Sequence, residues 1–244
     1  MLLGRRQEIE QLVENLRCGK HTLVFGTAGV GKTSVLLSAT TQLNACFSSE
    51  LVACYVSDCS NNRKILQGAF AGLPKEMLVL NRSPLSRTTR TEGFLRVQDL
   101  RGLFIGLAQH RKICLLLDHL PRLHHKMQHL FELLEPHCTL AFAVNARPYE
   151  YELFYWKFCR IELRDLPPKT VLHWIDLELD HLGYRPSLKR RIAQEVMRLT
   201  GGHTRSVAQT LAVIQRQAVL LDDPIRVRRM YTDGLMQHLA KQQV

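Results

Sequence analysis

A phosphate cradle is indicated by one run of the sequence, Gly26-Thr27-Ala28-Gly29-Val30-Gly31-Lys32-Thr33. The run matches the pattern G-x-x-x-x-G-K-S/T in full, with an apolar stretch before it and a helical pattern after it. Its glycines allow backbone N–H groups to curl around phosphate oxygens, and the start of the helix adds partial positive charge. Lys32 is expected to reach the β- and γ-phosphates of ATP, and the Thr33 hydroxyl to ligate Mg²⁺. The predicted nucleotide contacts in this run are Thr27, Ala28, Gly29, Val30, Gly31, Lys32, Thr33 and Ser34.

Asp118 is the second position with a chemical role, because it ends the apolar run Leu115-Leu116-Leu117. A carboxylate at the end of a buried strand can hold magnesium from the side opposite Thr33. The alternative is an acidic cap at the start of the following helix. His119 comes next, and a neutral imidazole can act as a general base. The sequence therefore predicts a magnesium site at Thr33 and Asp118, and leaves ATP hydrolysis open.

The elements that position these residues alternate through the first two thirds of the chain. Apolar residues at helical spacing predict a helix over 5–17 and another over about 32–46. Short apolar runs predict strands at 21–25, 51–56, 113–117, 140–144 and 159–163. Strands and helices that alternate in this way predict an α/β fold, in which a parallel sheet is sandwiched by helices.

The pattern changes after Pro167-Pro168, where only helical spacing remains. Helices are predicted over about 168–182, 187–199 and 204–221, with glycine and proline residues between them. We therefore divide the chain into a P-loop α/β core, residues 1–166, and a small all-helical lid with a C-terminal tail, residues 167–244.

A basic charge balance indicates a partner larger than a nucleotide. The 244 residues carry a formal net charge of +11, and a nucleotide needs only a few local cations. The charge is concentrated in 82–112, with seven basic residues against two acidic ones, and in 187–229, with nine against three. Duplex DNA is the expected partner, bound through its backbone in a salt-sensitive way. The alternative is two solvated basic surfaces.

Composition argues against several other classes of protein. No apolar run approaches the roughly 18 to 20 residues that span a bilayer, and the polar start lacks a signal peptide's apolar stretch. We therefore expect a cytoplasmic protein without a membrane partner. The seven cysteines include no C-x-x-C pair and are expected to be structural thiols, with a metal or redox role as the alternative. Histidines 119, 124, 125 and 129 lack an H-E-x-x-H pattern, which disfavours a metal site among them.

Three further motifs resemble those of the AAA+ ATPases and the closely related STAND ATPases. The opening Leu3-Gly4-Arg5-Arg6-Gln7-Glu8-Ile9 resembles the family's G-R-x-x-E-L/I motif, which implies that Gly4 and Arg5 line the adenine pocket. Asn145, after the fourth predicted strand, resembles the residue called sensor 1. The run Gly201-Gly202-His203-Thr204-Arg205 resembles the lid motif G-G-x-x-R, which implies that Arg205 acts as sensor 2.

Two arginines resemble residues that complete the site in this family. Arg147 resembles the arginine with which STAND proteins contact the γ-phosphate within the same chain. Arg160, at the start of the fifth predicted strand, resembles the AAA+ arginine finger, which enters a neighbour's site and stabilises transition-state charge. A surface arginine is the alternative for each. His119 stands where many of these ATPases have a catalytic glutamate, so the resemblance implies weak hydrolysis or none.

Within the superfamily, the resemblance is nearest to the initiator and transposition-helper ATPases, over about residues 3–221. It implies a protein that binds ATP and Mg²⁺ and then assembles with copies of itself on DNA. The alternative is a signalling switch of the STAND type that acts on a protein partner. The lid motif and the opening motif argue against a third reading, a small-molecule kinase.

Overall fold

The computed structural model describes residues 4–80, 96–120, 123–145, 154, 156–182 and 186–216. Contacts divide the chain into two compact units. The first contains the described residues up to Gly26 and those from Lys32 to Leu163, and the second contains Thr27–Gly31 and the described residues from Arg164 onward. By its contacts, the glycine-rich loop therefore groups with the carboxyl-terminal helices.

The first unit is built on a sheet of five parallel strands in the order β2-β3-β4-β1-β5. The strands are β1 Thr22–Phe25, β2 Leu51–Val56, β3 Lys112–Leu117, β4 Cys138–Val144 and β5 Cys159–Glu162. The helices are α1 Arg6–Arg17, α2 Lys32–Cys46, α3 Asn62–Ala71, α4 Lys75–Leu80, α5 Val97–Ala108 and α6 His125–Leu134. The predicted α/β fold with a parallel sheet is confirmed.

Alternate strand residues divide the buried side chains between the two faces of the sheet. One face, which includes Leu23, Leu115 and Phe142, packs on α3, α5 and α6 in a single apolar core. On the other face Cys114 approaches α1, with its sulfur 3.8 Å from the carbonyl oxygen of Leu16. Helices therefore cover both faces, as a buried parallel sheet requires.

Asparagine side chains fix where one helix begins and how another meets the sheet. The Asn61 side chain accepts the backbone N–H of Lys64 at the start of α3, a favourable N-cap. On α2, the Asn44 amide donates to the Ala53 carbonyl and accepts the Ala53 N–H, both at 2.9 Å. β2 is an outer strand of the sheet, so Asn44 pairs backbone groups at the open side of an edge strand and ties α2 to it.

The buried cysteines behave as small apolar groups. Burial raises the pKa of both Cys54 and Cys59 to about 12, which keeps these thiols protonated at neutral pH. Across the described residues, no group of three or more His, Cys, Asp or Glu side chains is placed to hold a metal ion. No helix in that part of the chain combines the length and apolar character needed to cross a membrane.

The second unit contains three helices, α7 Pro168–His181, α8 Pro186–Thr200 and α9 Thr204–Arg216. Pro168 occupies the first turn of α7, where its missing N–H costs no helical hydrogen bond. One face of each helix contributes to a shared apolar core that includes Val171, Ile175, Val196 and Val207. The predicted helix over 204–221 agrees with α9 as far as Arg216, and its last residues lie outside the described part of the chain.

Candidate nucleotide-binding site

The cradle sequence starts at the carboxyl end of β1, an interior strand of the sheet. Gly26 directly follows β1, and Asp118 directly follows β3. The strands are parallel, and only β4 separates these two, so both residues lie at the same edge of the sheet. Open α/β sheets bind ligands outside the carboxyl ends of their strands. The fold therefore brings the two parts of the predicted magnesium-nucleotide site to the edge where ligands bind.

Lys32 is the first residue of α2 and is 7% exposed. Its Nζ donates to the Gly26 carbonyl oxygen at 2.8 Å, so the amine folds back from the helix start toward the end of β1. Burial lowers the pKa of Lys32, and the nearby Asp118 carboxylate opposes that shift. Thr33 and Ser34 follow in the first turn of α2 and are half-buried. A phosphate at this helix start would meet both the ammonium and the helix N-terminus.

The loop Thr27–Gly31 depends on glycine at two positions. Gly29 has φ +84° and Gly31 has φ +106°, which are left-handed conformations that other residues adopt at a cost. A Cβ on Gly29 would also lie 2.6 Å from His203 Cε1 and 2.8 Å from Arg205 Cβ, too close for any larger residue. The second glycine of the cradle is therefore required by backbone shape and by the close approach of the G-G-x-x-R motif.

The G-G-x-x-R motif turns the chain between α8 and α9. Gly201 and Gly202 both have positive φ, at +61° and +78°, and end α8. The turn places His203 beside the loop of the same unit, with Nε2 3.0 Å from the Ala28 carbonyl oxygen. Arg205 lies in the first turn of α9 with an exposed side chain. Within the second unit, this arrangement brings the predicted sensor 2 arginine next to Gly29.

Asp118 is held by hydrogen bonds on both carboxylate oxygens. The side chain is 3% exposed. Its Oδ2 accepts the Tyr55 hydroxyl at 2.9 Å, and its Oδ1 accepts the backbone N–H of His119 at 2.8 Å. Magnesium prefers oxygen ligands, and it commonly binds through one or two carboxylates together with phosphate oxygens. The Thr33 hydroxyl and the Asp118 carboxylate therefore fit the donor set that a magnesium-nucleotide complex needs.

His119 has a left-handed backbone, with φ +50°. Such a conformation is uncommon outside glycine and is concentrated at functional sites. The imidazole is 69% exposed, and its Nε2 lies 3.7 Å from Asp118 Oδ2. The structure thus places this ring at the predicted site, beside the carboxylate and open to solvent.

The opening motif lies at the start of α1, and two other predicted site residues lie on or directly after strands of the sheet. Gly4 lies in an exposed turn with φ +76°, and Arg5 is 3% exposed, with Nη1 donating to Glu8 Oε1 at 2.9 Å. Asn145 follows β4 at the carboxyl edge and is exposed. Arg160 is exposed on β5 and pairs in register with Leu23, two residues before the carboxyl end of β1.

Arg160 therefore does not share the carboxyl edge with Lys32 and Asp118, and its role as an arginine finger stays a prediction. Arg147 lies outside the described residues. The contacts of Gly4, Arg5 and Asn145 with a nucleotide stay predictions.

The two basic segments are described only in part. Arg96, directly before α5, is exposed, and Arg101, on α5, is half-buried. Residues 82–95 and 217–229 lie outside the described residues. On α8, Arg190 and Arg191 are exposed. Other basic residues have partners within the protein, among them Lys112 with the Arg17 carbonyl, Lys189 with Asp180 and Arg198 with Glu195.

Two residues of the site escaped the sequence analysis. Tyr55 carries the one hydroxyl in the apolar strand β2, and that contrast is the signal that could have identified it. His203 occupies a variable position of the G-G-x-x-R motif, where nothing in the sequence indicates a contact with Ala28. Both contacts depend on how distant segments pack.

No protein-family model and no curated protein sequence matches the chain. Solved structures do match it by fold. PCH-2 from C. elegans aligns with a TM-score of 0.55 and 10% identity, over 98% of this chain and 69% of that one. A DNA replication initiation factor aligns with a TM-score of 0.54 and 14% identity, over 88% of this chain and 62% of that one.

Domain III of the Thermotoga maritima replication initiation protein DnaA aligns with a TM-score of 0.58 and 15% identity, over 96% of this chain and 93% of that domain. All three structures have the AAA+ fold. At these identities the likeness concerns the fold alone. The chain has the fold of the AAA+ ATPases.

Proposed function

We propose that this protein binds ATP with Mg²⁺ and uses the bound nucleotide to control its assembly with copies of itself on duplex DNA. One observation carries the proposal: a complete phosphate cradle lies at the carboxyl end of β1 in an AAA+ fold, with Lys32 buried beside Asp118. This combination supplies a cation, a helix N-terminus and oxygen ligands at one edge of the sheet.

In this proposal Lys32 and the loop Thr27–Gly31 hold the phosphates, while Thr33 and Asp118 hold the metal. Magnesium, when bound, would neutralise charge on the phosphate oxygens. Arg205 is the residue that would respond to the γ-phosphate, since its Cβ lies close to Gly29 within the second unit. A ligand shifts a conformational equilibrium only by its differential affinity for the two states. ATP would therefore favour the assembly-competent state through a contact that ADP cannot make.

Slow hydrolysis would reverse the assembly. His119 stands beside Asp118 with an exposed ring, where an imidazole could accept a proton from water. Asn145 would orient that water or the γ-phosphate, and Arg147 would contact the γ-phosphate within the same chain. Arg160 would act on the site of a neighbouring copy, for which its exposed position on β5 is suitable. The proposed reaction is ATP hydrolysis that needs this second copy for its full rate.

DNA is the proposed surface for assembly. The net charge is +11, and Arg190 and Arg191 present exposed guanidinium groups on α8. Such groups contact phosphates without reading base sequence, and each neutralised phosphate adds to the salt dependence of binding. Two of the proteins that this fold resembles are named as replication initiation proteins, which supports the choice of DNA.

A signalling switch of the STAND type is the second candidate. It is favoured by the basic residues that already have partners within the protein, Lys112, Lys189 and Arg198, because these contribute less to a DNA-binding surface. The partner would then be another protein.

The size and DNA affinity of the purified protein, measured with ATP, with ADP and without nucleotide at two salt concentrations, test the proposal. We expect larger assemblies on duplex DNA with ATP, but not with ADP or without nucleotide. The affinity for DNA should fall as salt rises. Replacing Arg190 and Arg191 by glutamate should weaken DNA binding without changing ATP affinity. The same change at Lys20 and Lys75, exposed lysines outside the two basic segments, is the matched control. A protein that binds ATP and ignores DNA under all conditions would favour the signalling switch.

A further inference from the structure

Tyr55 reaches the predicted magnesium ligand from the neighbouring strand. In the β2–β3 pairing, Tyr55 lies opposite Leu116, two residues before Asp118. Side chains two residues apart on a strand point to the same face, so Tyr55 and Asp118 are diagonal neighbours. That separation is within the reach of an aromatic side chain. The Tyr55 hydroxyl consequently donates to Asp118 Oδ2 at 2.9 Å.

The remaining contacts of Asp118 make the orientation of its carboxylate specific. The Asp118 backbone N–H donates to the Val56 carbonyl at 2.9 Å, which continues the β2–β3 ladder beyond β3. Oδ1 accepts the His119 N–H at 2.8 Å, a bond made by the left-handed turn at His119. Each carboxylate oxygen has two lone pairs, so these bonds leave acceptor capacity on both oxygens. A metal or its water can thus be bound while the protein holds the group in place.

β2 also connects this carboxylate to the helix that carries the cradle. The Asn44 amide of α2 makes two hydrogen bonds to the backbone of Ala53, two residues before Tyr55. α2 begins with Lys32 and Thr33, and Thr33 is one of the two predicted metal ligands. β2 therefore contacts both this helix and the side chain of Asp118, which is the other predicted ligand. Ligands that are held by such surrounding contacts lose less freedom when a metal binds.

We propose that Tyr55 is a positioning residue for magnesium, which fixes the Asp118 carboxylate through its hydroxyl; this inference rests on the proposed function. In this role the tyrosine contacts neither nucleotide nor metal. It acts through Asp118, and its loss should weaken the binding of magnesium while leaving metal-free nucleotide binding intact.

Replacing Tyr55 by phenylalanine removes the hydroxyl and keeps the ring. The probe is a fluorescent ATP analogue, titrated into wild-type protein and Tyr55→Phe in EDTA and over a series of Mg²⁺ concentrations. In Tyr55→Phe, we expect the Mg²⁺ concentration that gives half of the maximal enhancement of analogue binding to rise about tenfold. This is the scale of one hydrogen bond to a charged group. The affinity for the analogue in EDTA should stay the same. If Tyr55→Phe does not fold, Tyr55→Met is a second variant without the hydroxyl. It should show the same shift in magnesium dependence and the same unchanged affinity in EDTA.

A cycle with Asp118→Asn separates this role from a structural one. If Tyr55 acts through Asp118, Tyr55→Phe will cause no further change in the magnesium dependence of the Asp118→Asn protein. A wild-type magnesium curve for Tyr55→Phe, beside a shifted curve for Asp118→Asn, would overturn the role of Tyr55 and leave the proposed function intact. Equal losses of affinity in EDTA and in Mg²⁺ would also overturn it, since that pattern indicates a general packing defect. Unshifted curves for both variants would remove the magnesium site itself.

Discussion

The two edges of the parallel sheet both contain polar groups, but they use them differently. At the amino edge His21 precedes β1, and its Nδ1 accepts the backbone N–H of Leu140 at 3.0 Å. Its Nε2 lies 3.6 Å from Glu135, and Lys157 lies 2.6 Å from the same carboxylate. The ring also lies against Phe158, with the centroids 5.3 Å apart. These groups link the ends of three strands to one another and form a structural network.

The carboxyl edge instead concentrates charge, glycine and a strained backbone. Lys32 and Asp118 are buried charged groups at this edge of the sheet, and His119 adds a left-handed residue next to Asp118. Buried charges and strained residues are costly, and they are concentrated where a ligand is bound or a reaction is carried out. The comparison indicates that changes at the carboxyl edge will alter ligand binding, whereas changes at the amino edge will alter stability.

The largest expected effect is that of Lys32→Ala. Loss of the ammonium removes charge-assisted hydrogen bonds to the phosphates, so the affinity for ATP should fall about 100-fold or more. Equilibrium titration with a fluorescent ATP analogue measures it. Lys75→Ala, at an exposed lysine on α4, is the control and should bind ATP normally. Near-normal affinity in Lys32→Ala would show that the cradle is wrongly assigned.

Asp118→Asn should cause the next largest effect, and only in the presence of magnesium. The amide keeps the size of the side chain but is a poorer metal ligand, so the gain in ATP affinity on adding Mg²⁺ should shrink about tenfold or more. Binding in EDTA should change little. Asp58→Asn provides a control at an exposed carboxylate. Full retention of the magnesium effect would contradict the assignment of Asp118 as a metal ligand.

His21→Ala tests the amino edge. The substitution leaves the N–H of the buried Leu140 without its acceptor, so the free energy of unfolding should fall by about 1–3 kcal/mol. Urea denaturation measures the loss, and ATP affinity should remain within about twofold of wild type. His129→Ala, on the exposed face of α6, should leave stability nearly unchanged. A large loss of ATP affinity in folded His21→Ala protein would contradict the division between the two edges.

The smallest expected effect is a pH dependence from the same histidine. Burial lowers the pKa of His21, although Glu135 partly opposes the shift, so the folded state favours the neutral ring. Protonation would also prevent Nδ1 from accepting the Leu140 N–H. This contribution to stability is therefore present above about pH 6.5 and is lost as pH falls through the lower pKa of the folded state. The difference in unfolding free energy between wild type and His21→Ala should shrink on acidification; a constant difference would argue against it.

Much of the fold followed from local patterns. The apolar runs at 51–56 and 113–117 predicted β2 and β3 because a buried strand can be recognised from a short stretch of consecutive residues. The cradle was recognisable since all its required residues are contiguous. Asp118 was identified from its place after an apolar run.

Contacts between distant segments could not be predicted in the same way. Tyr55 reaches Asp118 only because β2 and β3 pair in one register, which the sequence does not state. The left-handed φ of His119 could not be predicted, because this position is not a glycine. The approach of His203 to Ala28 depends on the turn after α8. For Arg160, the sequence predicted its place at the start of β5 but not its register opposite Leu23 of β1.

Amide hydrogen exchange with and without ATP and Mg²⁺ tests the central claim most directly, because it locates binding on the native protein. We predict slower exchange in peptides that cover residues 26–34 and 117–120, at the carboxyl edge. Peptides that cover residues 134–141, at the amino edge, should exchange at the same rate in both conditions. Protection at the amino edge, or none at the cradle under saturating nucleotide, would contradict the assignment of the carboxyl edge as the nucleotide site.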